Sequence, residues 1–209
     1  MMVIVDYGVG NLFSLKSSFA AVGETPRVTG DAAEIARAEK IILPGVGAFG
    51  DAADKLRSMG LDRALRDAAG RGVPLLGICL GMQLLFERSF EYGEHRGLGL
   101  IPGSVRPIRD AIPAGLKIPH IGWNALKLTE RKSPILRYVR EGDCVYFVHS
   151  YYAAECDEAV IATAEYGTEL TAAVQWGNVY GCQFHPEKSG LVGLNILRAF
   201  CESKGGAAQ

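Results

Sequence analysis

The chain has little of what would direct it to a membrane, to nucleic acid or to an oxidising compartment. The apolar run without a charged residue from Gly72 to Phe86 is too short to span a bilayer and contains Gln83. Asp6 arrives before any signal-like apolar segment develops, so the chain is expected to be soluble, unprocessed and cytoplasmic, with no membrane partner. Excess charge of either sign is also missing. The 22 Lys and Arg against 23 Asp and Glu leave a net charge of -1, with no basic stripe to meet a phosphate backbone, so the expectation is no nucleic-acid partner. Cysteine is scarce: Cys79, Cys144, Cys156, Cys182 and Cys201 are odd in number and contain no Cys-x-x-Cys pair. That suits neither a disulfide framework nor a zinc site, and neither a metal nor a cofactor is expected.

What is present fits one enzyme-sized domain over residues 1–209, since 48% hydrophobic residues can bury a substantial core. The first half alternates strands with helices, the pattern of a parallel sheet covered on both faces. Apolar strands are expected at 2–6, 40–43 and 73–78, with helices at 11–22, 51–59 and 61–70 and another from Leu80 toward Phe90. The second half is punctuated by Pro102, Pro107, Pro113 and Pro119. Strand-like runs at 123–129, 144–151, 159–166, 170–176 and 179–184 predict antiparallel additions to the sheet. A closing helix over 191–203 places Leu191, Leu194, Ile196, Leu197 and Phe200 largely on one side, and the tail after it is expected to fray.

The segment from Val73 to Phe86 is the most informative. A buried strand enters a Gly77-Ile-Cys79-Leu-Gly81 turn and then a helix, the sulfur counterpart of a Gly-x-Ser-x-Gly elbow. The glycines relieve crowding while the central side chain projects at the sheet's carboxyl edge. There the helix amino terminus favours a thiolate on Cys79, and the Leu80 N–H can donate toward an oxyanion. A lone cysteine after an apolar strand is more commonly a packing residue, so the motif needs a partner. Tyr180-Gly-Cys-Gln-Phe-His185-Pro-Glu187 supplies one. Pro186 pushes His185 into extended backbone, and Glu187, two residues on, projects to the same side and can hold its imidazole. A base and its orienter are what a cysteine nucleophile requires.

Gly45, Gly47 and Gly50 match a dinucleotide fingerprint literally, but the next strand ends on Cys79 instead of the acidic residue that fingerprint expects. The stretch Gly45, Val46 and Gly47 is read as a mobile loop whose N–H groups complete an oxyanion hole. Gly8-Val9-Gly10 signals only a tight turn. His95 is read as a solvated loop residue, and His120 and His149 as makers of structural hydrogen bonds. The other four cysteines are read as packing residues.

With these residues in hand, the chain resembles the triad-type, class I glutamine amidotransferases. Finer features are similar to one branch, the glutaminase subunits of imidazole glycerol phosphate synthase: Asp6 to Asn11, Pro44 to Gly50, Gly77 to Phe86, Pro119 to Asn124, Phe147 to Tyr151 and His185 to Ser189. Gly190 departs from that pattern, where glutamine is expected. The resemblance implies an α/β three-layer sandwich, flavodoxin-like, whose mostly parallel central sheet has antiparallel extensions. It implies hydrolysis of glutamine to glutamate and ammonia by a Cys79, His185, Glu187 triad, with Gln83, Ser150 and Tyr151 binding the substrate. It also implies a heterodimer with a (β/α)8 cyclase that uses the ammonia in histidine biosynthesis, met through Asn11, Trp123 and Lys188. Competing readings are a stand-alone γ-glutamyl hydrolase, the glutaminase of another biosynthetic amidotransferase, and a non-enzymatic scaffold.

Overall fold

The computed structural model describes residues 1–203; the glycine-rich tail lies outside them. Strands β1 (Met2–Val5), β2 (Arg27–Thr29), β3 (Lys40–Leu43) and β4 (Leu75–Ile78) alternate with helices α1 (Leu12–Ala21), α2 (Ala32–Ala36), α3 (Phe49–Ser58) and α4 (Leu61–Gly70). A short helix α5 (Leu80–Leu84) follows β4. The chain continues through β5 (Phe86–Ser89), β6 (His95–Arg96), β7 (Ile101–Pro107), β8 (His120–Ala125), β9 (Lys127–Leu128), β10 (Cys144–His149) and β11 (Tyr151–Ala154). Strands β12 (Val160–Glu165), β13 (Glu169–Trp176) and β14 (Val179–Cys182) precede the closing helix α6 (Gly190–Glu202).

The main sheet has the order β2-β1-β3-β4-β14-β13-β12-β9. Its pairs are parallel as far as β14 and antiparallel beyond it. Strand period two divides the apolar runs between two cores. Val3, Val5, Ile41, Leu43 and Leu75 join the helices α2, α3 and α4 on one face, while Ile4, Ile42, Leu76 and Ile78 join α1 and α6 on the other. Helix starts follow capping chemistry: Asn11 accepts the Ser14 N–H at 3.2 Å and Asp31 the Ala33 N–H at 2.8 Å. No helix among the described residues is long and apolar enough to cross a membrane.

Several expectations need correction. The helix after Cys79 does not reach Phe90. It ends at Leu84 because the carbonyls of Leu84, Leu85, Phe86 and Glu87 accept from Leu98, Ile101, Gly99 and Gly97 instead of from their own next turn. Gly97 is required there, since a Cβ on it would lie 2.1 Å from the Phe86 oxygen. The second half also does not add only to the main sheet: β10 pairs with β8, and β11-β7-β5-β6 form a separate four-stranded sheet. Strand β7 tolerates Pro102 because a register shift opposite Glu87 removes the need for its missing N–H. In α6, the buried face runs through Gly193, Ile196, Leu197 and Phe200, which turns Leu191 outward at 73% exposure.

Candidate active site

Strand β4 lies between β3 and β14, and Cys79 follows at its carboxyl end. Its backbone has φ 55° and ψ -114°, a strained conformation for a side chain with a Cβ. Packing enforces that strain. A Cβ on Gly81 would lie 1.9 Å from the Leu43 oxygen, one on Gly77 2.6 Å from the Gly81 oxygen, and one on Gly45 2.8 Å from the Gly81 nitrogen. The Cys79 N–H is tied to the Cys182 carbonyl at 2.7 Å, and its own carbonyl accepts from Gln83 at 3.2 Å. The next N–H, on Leu80, has no acceptor among the described residues. With α5 only five residues long, the macrodipole available to Cys79 is smaller than the sequence suggested.

His185 stands in extended backbone, φ -99° and ψ 98°, beyond the end of β14. Pro186 to Lys188 then form a 3-10 turn, so Glu187 reaches the ring from a turn and not from a continuing strand. The His185 Nδ1 to Glu187 Oε1 distance is 2.8 Å, with both side chains almost wholly buried. The second Glu187 oxygen has no partner among the described residues, which leaves the imidazole as its compensating group. Burial alone would lower the His185 pKa. Hydrogen bonds to Cys79 and Glu187, together with their negative charge, outweigh it and raise the value to about 9. A histidine held by a carboxylate and opening on the same cavity as a thiol is arranged to hold a proton and pass it on.

The thiol and the imidazole open on one cavity of about 350 Å³, whose walls include Leu80, Gln83, Val46, Gly47, Ser150 and Tyr151. The sequence-derived nucleophile, base, substrate residues and much of the glycine loop therefore share one space. Gly45 stands behind it, against Leu80 and Gly81, and Gly47 at φ 93° has nothing within 4 Å of a Cβ. The Tyr7 hydroxyl anchors the start of this loop by donating to the Pro44 carbonyl at 2.7 Å.

The family model for class-I glutamine amidotransferases matches residues 3–202. The chain belongs to the class-I glutamine amidotransferase family. Among curated relatives, the Salinibacter ruber protein "Imidazole glycerol phosphate synthase subunit HisH" is 48% identical over 204 residues, covering 96% of this amidotransferase and 93% of the relative. The protein of that name from Bacillus licheniformis is 50% identical over 203 residues, covering 96% and 95%. Solved structures agree at the level of fold. A glutamine amidotransferase crystal structure superposes with a TM-score of 0.75 at 19% identity, covering 96% of this chain and 97% of that one. The structure of PurLQS from Thermotoga maritima gives 0.75 at 23%, covering 96% of both. The expected α/β architecture is thus the observed one.

Asn11, Trp123 and Lys188 do not line the cavity of this amidotransferase. Asn11 is exposed and caps α1; Trp123, 58% exposed, stands edge-on to Tyr146 at 6.3 Å, and the Lys188 ammonium lies 5.8 Å from the same ring. Trp123 and Lys188 therefore form one aromatic and cationic cluster, next to Gly190, where a Cβ would meet Trp123 at 3.8 Å. Two histidine and cysteine readings change. His95 is on strand β6 and packs on Gly50, so that glycine makes room for a ring. Cys144 is exposed, at the open start of β10. Burial pushes the thiols of Cys156 and Cys201 up to about 11 and that of Cys182 higher still, which makes them poor nucleophiles.

Two residues of the site escaped sequence reasoning. Glu91 lines the cavity, accepts the Phe49 N–H at 2.6 Å and has its carboxyl pKa raised by burial. Gln183 is wholly buried with its Nε2 4.0 Å from the Cys79 sulfur. A glutamine between Cys182 and Phe184 in an apolar run was the available signal. Among the described residues, no group of three or more His, Cys, Asp or Glu side chains is arranged to hold a metal.

Proposed function

We propose that this chain is the glutaminase subunit of an imidazole glycerol phosphate synthase. It would hydrolyse glutamine and hand ammonia to a (β/α)8 cyclase partner in histidine biosynthesis. The observation that carries the reading is that Cys79 and His185 share one cavity, with Glu187 holding the imidazole from behind it, inside a fold matched over nearly its whole length by relatives of that name. The main sheet contributes to both cores, which supports a single amidotransferase domain over 1–209. Five free cysteines and balanced charge suit the reducing cytoplasm and a protein partner instead of nucleic acid.

In this mechanism the Cys79 thiolate attacks the side-chain amide carbon of glutamine. Charge developing on the carbonyl oxygen is met by the Leu80 N–H and by an N–H of the Gly45, Val46, Gly47 loop. His185, held by Glu187, protonates the amide nitrogen, and ammonia leaves with the thioester formed on Cys79. The same imidazole then takes a proton from water, which attacks the thioester and releases glutamate. Gln83, Ser150 and Tyr151 hold the amino-acid end of the substrate, and the Glu91 carboxylate offers a partner to its ammonium. Asn11, Trp123 and Lys188 meet the cyclase. The glycine loop makes activity partner-dependent, since one missing oxyanion donor costs about 100- to 1000-fold. A glutamine analogue with an electrophilic carbon at the amide position tests the reading: mass spectrometry is expected to find one adduct, on Cys79. An adduct on Cys182 or Cys144 refutes it.

A further inference from the structure

A second set of buried polar groups reaches Cys79 without passing through His185 or Glu187. Gln183 places Nε2 4.0 Å from the Cys79 sulfur, and its Oε1 accepts from Gln83 Nε2 at 3.0 Å. The same Gln83 nitrogen donates to the Tyr151 carbonyl at 3.1 Å. That carbonyl also faces His149 Nδ1 at 2.8 Å. His149 Nε2 is 3.0 Å from His120 Nδ1, and His120 Nε2 is 3.3 Å from Asn124 Nδ2. His120 and His149 sit directly opposite each other across the β8–β10 ladder. Both are buried, and His120 stacks between Phe147 and Tyr166.

The proton on each ring follows from the two ends of this chain. A carbonyl only accepts, so His149 carries its hydrogen on Nδ1 toward Tyr151. Neutral His149 then has a bare Nε2, which accepts from His120 Nδ1–H and leaves His120 Nε2 bare to accept from Asn124. The Asn124 amide cannot turn over, because its Nδ2 donates to the Glu165 carbonyl at 2.7 Å and its Oδ1 accepts the Ala125 N–H at 2.8 Å. Both ends therefore impose the same sense. Burial lowers the pKa of His120 and, with the neighbouring His120 and His185 charges opposing protonation, that of His149 to about 3. At the other end, both Gln83 amide hydrogens are engaged, which fixes Gln183 with its N–H, and not its carbonyl, toward the sulfur. Reversal would set an oxygen against a thiolate.

We infer that His120 and His149 are positioning residues for glutamine hydrolysis: as a neutral, one-directional pair they pin the Tyr151 carbonyl, which in turn orients the Gln83 and Gln183 amides against Cys79. This rests on the reading of Cys79 as the glutaminase nucleophile. The pinned carbonyl belongs to Tyr151, the first residue of β11; at the preceding corner the Ser150 carbonyl takes the Ile108 N–H at 2.9 Å, whereas the Tyr151 carbonyl meets Gln83 and His149.

The test uses the chain assembled with its cyclase subunit. His120→Leu removes the donor to His149, and His120→Asn keeps one, since an asparagine Nδ2 takes the place of the ring Nδ1. Displacing a reacting geometry by an ångström costs on the order of 100-fold, so His120→Leu is expected to lower glutamine-dependent turnover about 10- to 100-fold. His120→Asn is expected to recover most of it. Ammonia-dependent synthesis, unchanged in both, reports that folding and docking survive. Nitrogen-15 NMR of the wild-type chain is expected to show both rings neutral and protonated on Nδ1. A fully active His120→Leu variant, or either ring protonated on Nε2, overturns the inference. Failure of the function reading is visible separately, as glutamine-dependent synthesis that survives Cys79→Ala.

Discussion

Two glycine-rich turns border the same cavity, and they differ in how tightly they are held. At the Cys79 elbow each glycine is walled by backbone, and the strained φ of 55° is locked between Cys182 and Gln83 hydrogen bonds. At the Pro44 to Gly47 loop only the base is fixed, by the Tyr7 hydroxyl and the close packing of Gly45. Its tip is open: Val46 is 44% exposed and a Cβ on Gly47 would touch nothing. In the proposed function the nucleophile is thus preorganised while one oxyanion donor is adjustable. Regulation would thus act on the loop and leave the elbow alone.

Removing the nucleophile has the largest expected effect. Cys79→Ala in the assembled enzyme should lower glutamine-dependent synthesis by about 10⁴-fold or more, as loss of a triad nucleophile does. Synthesis from added ammonia should continue. Rate assays with each nitrogen source check this, and persistent glutamine use would show that the elbow is only scaffold.

Next comes Glu187→Gln, expected to cost about 10²- to 10⁴-fold in glutamine turnover by analogy with neutralising a triad carboxylate. It also has a pH signature. With His185 raised to about 9, the protonated imidazole is retained through neutral pH and lost as pH rises through 9, so the alkaline limb of kcat/KM should fall there. The variant removes a group that favours the proton, so its limb should move to lower pH. An unmoved limb would mean that Glu187 does not act on the ring.

The same alanine placed in each turn separates the two directly. Gly81→Ala drives a Cβ into the Leu43 carbonyl, which should cost about 1–3 kcal/mol or more and lower Tm by several degrees. Gly47→Ala meets open space and only the penalty of positive φ, about 1–2 kcal/mol. If that penalty falls on the loop's active arrangement, stimulated glutaminase should drop roughly 10-fold with Tm nearly unchanged. Equal Tm losses in the two variants, measured by calorimetry, would erase the distinction.

The elbow was legible because its chemistry is local. A buried strand and glycines at fixed offsets identify the turn in the chain itself, as His185-Pro-Glu187 identifies the imidazole and the carboxylate that holds it. The strand at Phe86–Ser89 was not legible, since the groups that divert it from helix lie at Gly97 to Ile101. The same holds for Glu91 and Gln183. Each is one polar residue whose importance comes from what tertiary structure places beside it, the Phe49 N–H in one case and the Cys79 sulfur in the other. The roles of His120 and His149 as hydrogen-bonding residues were foreseeable, but their pairing across β8 and β10 depended on register.

The smallest effects are expected at the proposed docking face. Trp123→Ala and Lys188→Ala disturb the cluster around Tyr146, outside the cavity, and should reduce partner stimulation a few-fold, in the range of a rim contact of about 1 kcal/mol. Basal glutaminase of the isolated variants should change less.

The contrast between a fixed nucleophile and an adjustable donor is tested most directly by steady-state glutaminase activity of the isolated chain, compared with that of the chain saturated with cyclase subunit. A stimulation of about 100- to 1000-fold is predicted, the contribution of one oxyanion donor. An isolated chain already working at the full rate would contradict the account and favour a stand-alone hydrolase.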